Sequence, residues 1–171
     1  PSIAWETHPF YFILVTIFLV TFWHEIHFYF THKFLHWKPI YKAIHSLHHK
    51  NTNPGPWSGI SMHPIEHIIY FSGVLIYFII PVHPFHAVLH LTKIAIGPGL
   101  SHSGFHKLSI GKNSSVNTKH YLHYLHHRYF ECNYGAGLDG SILPLDKWLG
   151  TFHDGSDQAQ EKMMSKLRET D

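Results

Sequence analysis

The sequence has 171 residues with a formal net charge of +2, and 20 of the residues are histidine. The length suits one domain, and the small net charge provides no basic surface for a nucleic acid. Aromatic residues at 16% and charged residues at 14% exclude a disordered chain. The single cysteine, Cys132, excludes an internal disulfide framework and a cysteine-based zinc site.

Three apolar runs predict helices that cross or enter a membrane. The first, Pro9–Phe30, contains no Lys or Arg and is long enough to span a bilayer as a helix. The second and third, Ile65–Ile80 and Phe85–Leu100, are shorter and flank a turn at Pro81–Pro84. They predict a tight or partly re-entrant hairpin. The mean hydropathy of −0.09 conceals this pattern, because without histidine the residues average about +0.3.

The positions of the basic residues predict the topology. All 13 Lys and Arg lie at 33–50, at Lys93 or from Lys107 onward, and the positive-inside rule makes that side cytoplasmic. Loops are predicted at Asn51–Gly59 and Gly111–Asn117, and an amphipathic helix at Gln158–Asp171. We therefore expect an all-α integral membrane protein of one domain over 1–171. Its predicted parts are spans at about 9–30, 65–80 and 85–100, a cytoplasmic helical cap at 31–60 and 101–153, and a soluble tail at 154–171.

Ten histidines recur at spacings that place imidazoles on one face of a helix. They form an H-x3-H pair after the first run, an H-x2-H-H triad, a second pair after the third run and a second triad. The ten are His32, His36, His45, His48, His49, His102, His106, His123, His126 and His127. All fall on the predicted cytoplasmic side. Ten imidazoles are too many for one metal ion and suit two, so the spacing predicts a dimetal site with these residues as ligands.

Other metal chemistries fit the sequence less well. The segment His24–His27 is not the H-E-x-x-H helix of metalloproteases, because Phe28 stands where the second histidine is needed. A haem with two histidine ligands would not explain the triads. A non-catalytic metal-binding or metal-transporting membrane protein remains an alternative. Transporters hold their ligands near the membrane midplane, and His86 and His90 form such a pair within the third run.

The order of the four histidine boxes resembles the fatty acid hydroxylase/sterol desaturase superfamily of membrane-bound di-iron enzymes. Further similarities are His63–Glu66, Asn133–Gly135 and Pro144–Thr151, so the resemblance covers about 23–153. Lys33 departs from the arginine usual in the first box. Family members usually carry additional N-terminal transmembrane helices, which this chain is expected to lack.

The resemblance implies an O2-dependent non-haem oxidoreductase of the monooxygenase type, with two iron ions as cofactors and O2 as co-substrate. Zinc could replace iron, because it binds such ligands more tightly. The implied substrate is a lipid, which could be a sterol, a fatty acyl chain, a sphingolipid or a carotenoid. The implied reaction is either hydroxylation or desaturation. Electrons are expected from a separate donor, such as a cytochrome b5-like protein, a ferredoxin or a reductase. The implied location of the active site is the cytoplasmic face of a bacterial inner membrane or of the endoplasmic reticulum.

Each ligating imidazole should donate its other N–H to an acceptor behind it. The candidates for this supporting role are His63, Glu66, His67, His120 and Asp146. His24 and His27 lie inside the first span, where polar residues are costly and usually functional, so they are expected to line a substrate entrance or to pack in an aromatic belt. His8 and His153 are expected to be solvated, and no separate catalytic acid or base is assigned.

Overall fold

The structure, a computed structural model, describes residues 8–105, 107–110, 114–117, 120–135 and 143–170. Most of these residues are helical. The helices are α1 (Pro9–Leu35), α2 (Lys38–Ala43), α3 (Pro64–Phe78), α4 (Pro84–Ser101), α5 (His120–Tyr129), α6 (Leu145–Trp148) and α7 (Asp157–Thr170), with short 3₁₀ helices at His45–Lys50 and Pro56–Ile60. The predicted tail helix is therefore present as α7.

Helix α1 is the one helix in the described part of the chain that is long and apolar enough to cross a membrane. It has 27 residues, includes a π-helical stretch at Thr16–Trp23, and exposes apolar side chains such as Phe10 and Phe18. The predicted run ends at Phe30, but the helix continues to Leu35 and so carries His32 on its last turns. Helix α3 is apolar but shorter, and α4 contains Lys93.

Helices α3 and α4 begin with the same His-Pro arrangement. His63 and His83 precede Pro64 and Pro84, and each imidazole Nδ1 accepts a hydrogen bond from the backbone N–H two residues later, at 3.2 Å in both cases. Proline suits the first helical turn because its missing N–H would have no partner there. The capping histidine satisfies one of the N–H groups that the helix start leaves free.

Hydrogen bonds across the apolar region join α1, α3 and α4. The Trp23 indole N–H donates to the Gly73 carbonyl at 2.8 Å, which holds α1 against α3. Pro98 lies inside α4 and cannot donate to the carbonyl of Ile94, four residues earlier. The Tyr70 hydroxyl donates to that carbonyl at 3.1 Å instead, so α3 satisfies the acceptor that the proline leaves open.

A small antiparallel hairpin differs from the all-helical prediction. Strand β1 (Lys107–Ile110) pairs with β2 (Ser114–Asn117), and Lys107 lies opposite Asn117. The predicted loop at Gly111–Asn117 is therefore wrong for residues 114–117. Residues 107–110 alternate polar and apolar side chains. This period of two suits a strand and differs from the period of a helix.

The interior is built largely of histidine rather than aliphatic side chains. Tyr29, Ile94 and Leu125 are fully buried, but buried histidines outnumber buried aliphatic residues among the described side chains. Buried polar groups are costly unless they have partners. The partners of these buried imidazoles are therefore the feature of the fold that bears most directly on its function.

Candidate metal centre

Nine of the ten predicted ligands form two clusters. The first cluster is His32, His36, His45, His49 and His126, and the second cluster is His48, His102, His123 and His127. Within each cluster, one ring nitrogen per residue lies within 4.8 Å of every other. All nine side chains are at most 9% exposed. The tenth predicted ligand, His106, lies outside the described residues.

The histidine boxes divide between the clusters by their spacing. Histidines four residues apart share a cluster: His32 with His36 and His45 with His49 in the first, and residues 123 and 127 in the second. The middle histidine of each triad contributes to the other cluster, so His48 joins the second and His126 the first. Each triad therefore supplies both clusters and places them side by side.

Backbone carbonyl groups fix the orientation of five cluster imidazoles. Carbonyl oxygens only accept hydrogen bonds, so each imidazole must donate through Nδ1. The Nδ1–acceptor distances are 2.9 Å from His32 to Tyr134, 3.2 Å from His48 to Ser61, 2.7 Å from His102 to Pro98, 2.6 Å from His126 to Cys132 and 3.1 Å from His127 to Asn51. A neutral ring that donates through Nδ1 presents an unprotonated Nε2 to its cluster.

The Nε2 atoms converge at distances that suit metal ligands. In the first cluster, His36, His49 and His126 form a triangle with Nε2–Nε2 distances of 3.1 to 3.2 Å. In the second cluster, the His102 and His127 Nε2 atoms are 2.9 Å apart. Two nitrogens that bind one ion at about 2.1 Å lie roughly 3.0 to 3.4 Å apart for angles between 90° and 109°.

The second-cluster contact between His102 and His127 cannot be a hydrogen bond in the neutral rings. Both Nδ1 atoms carry the proton that is donated to a backbone carbonyl, so two lone pairs face each other at Nε2. A cation between them removes the repulsion. The donor set, neutral nitrogens without sulfur, fits iron, zinc or copper better than calcium or magnesium.

Burial keeps the cluster imidazoles neutral near pH 7. It lowers the pKa of His45 and of His48 to about 3 and the pKa of His102 to about 4. Burial, reinforced by the neighbouring imidazoles, also lowers the pKa of His36 and of His127 to about 2. Neutral imidazole is the form that binds a metal, so the free ligands are held in the binding form.

Glu66 is the one predicted supporting carboxylate that the described structure places against a cluster residue. Its Oε1 accepts a hydrogen bond from His45 Nδ1 at 2.7 Å, and both side chains are buried. This bond fixes the His45 tautomer and directs Nε2 toward the first cluster. Glu66 Oε2 is buried without a hydrogen-bond partner.

Asp146 supports the first cluster through one intervening residue. Its carboxylate accepts hydrogen bonds from the backbone N–H groups of Tyr134 at 2.8 Å and Gly135 at 2.9 Å, and from the Thr151 hydroxyl at 2.8 Å. Burial raises the pKa of Asp146, while these bonds oppose the change. The Tyr134 carbonyl, held in this way, is the acceptor for His32 Nδ1.

The other predicted supporting histidines make different contacts. His63 caps α3, and His67 Nδ1 lies 3.3 Å from the His63 carbonyl oxygen within the same helix. His120 lies one turn before His123 on α5 and has its Nδ1 3.3 Å from the Ser103 hydroxyl. None of these three belongs to either cluster.

His153 is buried, so the prediction that it is solvated is wrong. Its ring stacks on Tyr129 with centroids 4.6 Å apart, and only 1% of the residue is exposed. The Asn133 side chain bonds to both the N–H and the carbonyl of His153, at 2.9 and 2.8 Å. These long-range contacts fold the segment after Thr151 back onto α5, and no local spacing in the sequence indicates them.

An apolar cavity reaches both clusters. Histidines of the first cluster, His32 and His45, line it together with His48, His102 and His123 of the second. Its remaining lining includes the apolar side chains of Phe28, Leu35, Met62 and Pro98 and the ring of Tyr70, with His24, Thr31, Glu66 and Ser101 as polar members. The cavity thus places apolar side chains beside histidines of both clusters.

Comparisons with known proteins agree with this geometry. The family described as fatty acid hydroxylase matches residues 7–151. A fatty acid hydroxylase of Mycosarcoma maydis is 32% identical over 84% of the chain and 38% of its own length. A Delta(7)-sterol 5(6)-desaturase of Saccharomyces cerevisiae is 29% identical over 78% of the chain and 36% of its own length. The chain thus spans little more than a third of these relatives, and no solved structure is significantly similar to it.

Proposed function

Because the chain belongs to the fatty acid hydroxylase family, we propose that it is a membrane-bound dimetal oxidoreductase that hydroxylates or desaturates a lipid. The observation that carries this proposal is the pair of histidine clusters beside one apolar cavity. The first cluster would hold one metal ion and the second the other, with His106 as the tenth ligand. Iron is the proposed native metal, and zinc a substitute.

The proposed reaction consumes O2 and two electrons. In hydroxylation, a C–H bond, O2, two electrons and two protons give a C–OH group and one water. In desaturation, two adjacent C–H bonds with the same reactants give a C=C bond and two waters. The iron pair would supply the reductive activation of O2. The electrons would come from a separate donor protein.

The protein residues would position the metals and exclude water. The five backbone acceptors and Glu66 direct six of the nine cluster imidazoles so that Nε2 faces the cluster. Phe28, Leu35 and Met62 keep the cavity apolar, which favours an alkyl or ring C–H group over water beside the metals. Histidine side chains that are held in the metal-binding orientation in this way need little rearrangement when the substrate enters.

The proposed membrane arrangement has α1 crossing the bilayer and α3 with α4 forming a hairpin that enters it. Exposed apolar side chains on all three helices, such as Phe18, Phe78 and Val88, suit contact with lipid. The cap and its two clusters would then face the cytoplasm. Labelling of introduced cysteines should reach residues 38 and 168 from the cytoplasm and residue 82 from the opposite side or from neither.

The rival function, metal transport, has less support. Its candidate ligands His86 and His90 do not join a metal cluster in the described structure. His86 Nε2 lies 3.2 Å from the Phe12 carbonyl oxygen, and His90 contacts His24 and Tyr77. The clusters instead lie at the C-terminal end of α1, which ends with His32 on its last turns, and on the segments that follow it, whereas a transporter holds its ligands near the membrane midplane.

Mass spectrometry of lipids from cells with and without the protein tests the proposal. The wild-type chain should convert one lipid class to a product that is 16 Da heavier or 2 Da lighter. His126→Ala removes a ligand of the first cluster and should abolish the product, whereas His8→Ala changes an exposed residue and should retain it. Identical lipid profiles with and without the wild-type chain, at normal protein and donor levels, would contradict the proposed function.

A further inference from the structure

Three polar side chains form a hydrogen-bonded chain in the apolar part of the molecule, separate from both metal clusters. They are His24 on α1, Tyr77 on α3 and His90 on α4. The Tyr77 hydroxyl lies 3.1 Å from His90 Nδ1, and His90 Nε2 lies 3.3 Å from His24 Nδ1. His90 is completely buried and His24 is 4% exposed.

His24 connects this chain to the cavity. His24, Phe28 and His32 follow one another at four-residue intervals on one face of α1, with ring centroids 6.2 and 5.1 Å apart. All three line the cavity. Eight residues of helix separate His24 from His32, a rise of about 12 Å. Along α1, the cavity lining therefore carries an imidazole about 12 Å before the first-cluster residue His32.

The hydrogen-bonded chain controls which group His24 presents. If the Tyr77 hydroxyl donates to His90, then His90 donates to His24, and the remaining His24 nitrogen, Nε2, carries a proton that it can donate. If Tyr77 accepts, every bond reverses and His24 Nε2 becomes an acceptor. A hydroxyl group can hydrogen-bond to His24 Nε2 in either state, because it both donates and accepts. A carbonyl oxygen can do so only when Nε2 carries the proton.

Other roles for these residues are less consistent with the contacts. A third metal site would need more ligands than the two imidazoles present, and the described structure groups neither residue with a third. Polar residues within a membrane are costly and usually serve a function. A neutral oxygen is the group that fits.

We infer that His24, supported by His90 and Tyr77, binds an uncharged oxygen group of the lipid substrate, a hydroxyl or a carbonyl. His24 would contact the substrate, and the other two would be positioning residues. The anchored oxygen would lie about 12 Å from the carbon that is oxidised, because that rise separates His24 from His32 along the cavity lining. The anchor would thus set which carbon reaches the metals. This inference rests on the proposed function.

The test compares four variants with the wild type in the same host cells, using the host's own lipids as probe. His24→Phe removes the anchor, and Tyr77→Phe removes the end of the hydrogen-bonded chain. His24→Gln keeps an amide that can donate and accept. His27→Phe is the matched control, since His27 lies on the same helix but bonds to Ser72 and does not line the cavity.

The readouts are product amount, position of the oxidised carbon and bound metal per chain. A lost hydrogen bond of typical strength corresponds to about a tenfold change in binding, so His24→Phe and Tyr77→Phe should lower conversion about tenfold. Both variants should also give products that are oxidised at several different carbons, while the amount of bound metal per chain stays unchanged. His24→Gln should partly restore the wild-type position, and His27→Phe should keep it. A merely structural defect would lower the yield without moving the oxidised carbon.

Distinct outcomes separate this inference from the proposed function. An unchanged oxidised position and yield in both His24→Phe and Tyr77→Phe would overturn the anchor alone. A wild-type product with no hydroxyl or carbonyl group about 12 Å from the hydroxylated or desaturated carbon would also overturn the anchor. Fragmentation of the product identifies that group as hydroxyl or carbonyl. Absence of any product from the wild type would contradict the proposed function, and the anchor with it.

Discussion

Acidification should destabilise the metal-free protein strongly, because its interior holds imidazoles that resist protonation. Eight cluster histidines lie beyond α1, and burial lowers the pKa of each: His36, His45, His48, His49, His102, His123, His126 and His127. In the unfolded chain an imidazole has a pKa of about 6.5. Between pH 7.5 and 5.5 the unfolded chain therefore binds protons that the folded chain does not.

The size of the effect follows from proton linkage. Each group contributes stability that is complete above its unfolded pKa and is lost as the pH falls toward its folded pKa, here about 3 for His45 and about 4 for His102. The loss between pH 7.5 and 5.5 is about 1.4 kcal/mol for each group. Eight groups together give about 11 kcal/mol. Burial raises the pKa of Glu66 to about 7, so the folded chain protonates this carboxylate over the same interval and offsets about 2 kcal/mol of the loss. The net loss of about 9 kcal/mol is comparable to the whole stability of a typical domain.

Thermal unfolding in detergent after treatment with a chelator measures this loss. The melting temperature of the metal-free chain should fall steeply from pH 7.5 to 5.5. The metal-loaded chain should retain its melting temperature to a lower pH, because metal and protons compete for the same Nε2 atoms. A metal-free melting temperature that does not change over this interval would refute the burial of neutral imidazoles.

Three substitutions test other parts of the structure. Tyr70→Phe should lower the free energy of unfolding by about 1–3 kcal/mol, because the Ile94 carbonyl loses its partner; an unchanged value in chemical denaturation would contradict the assignment. His153→Ala should destabilise the protein by at least about 1 kcal/mol, since it removes a buried, stacked ring, and an unchanged melting temperature would argue against its burial. Glu66→Gln should weaken metal binding about 10- to 100-fold, measured by competition with a chelator, and equal affinity would show that His45 does not need the carboxylate.

The sequence predicts the main parts of the site because its signals are local. Pairs such as His32 with His36 have a spacing that brings them together on any helix, and the structure places nine of the ten predicted ligands in two clusters. The division of each triad was not predictable. His48 belongs to the second cluster because of its long-range contact with His102, at 3.2 Å, and sequence spacing carries no such information.

The groups behind the ligands also lacked a signal in the sequence. Carboxylate side chains are visible in the sequence as possible acceptors, and Glu66 does bond to His45. Most of the acceptors are backbone carbonyls, such as those of Pro98 and Cys132. Every residue has a carbonyl group, so its identity does not reveal which carbonyl faces an imidazole.

Metal content measured on the purified chain tests the central claim most directly. Elemental analysis of protein prepared without chelators should give about two metal ions per chain, iron natively or zinc after overexpression. His36→Ala should deplete the first cluster and His102→Ala the second, each leaving about one ion, while His8→Ala should leave about two. A wild-type chain that is folded and holds one ion, or that shows haem absorption, would contradict the two-metal site.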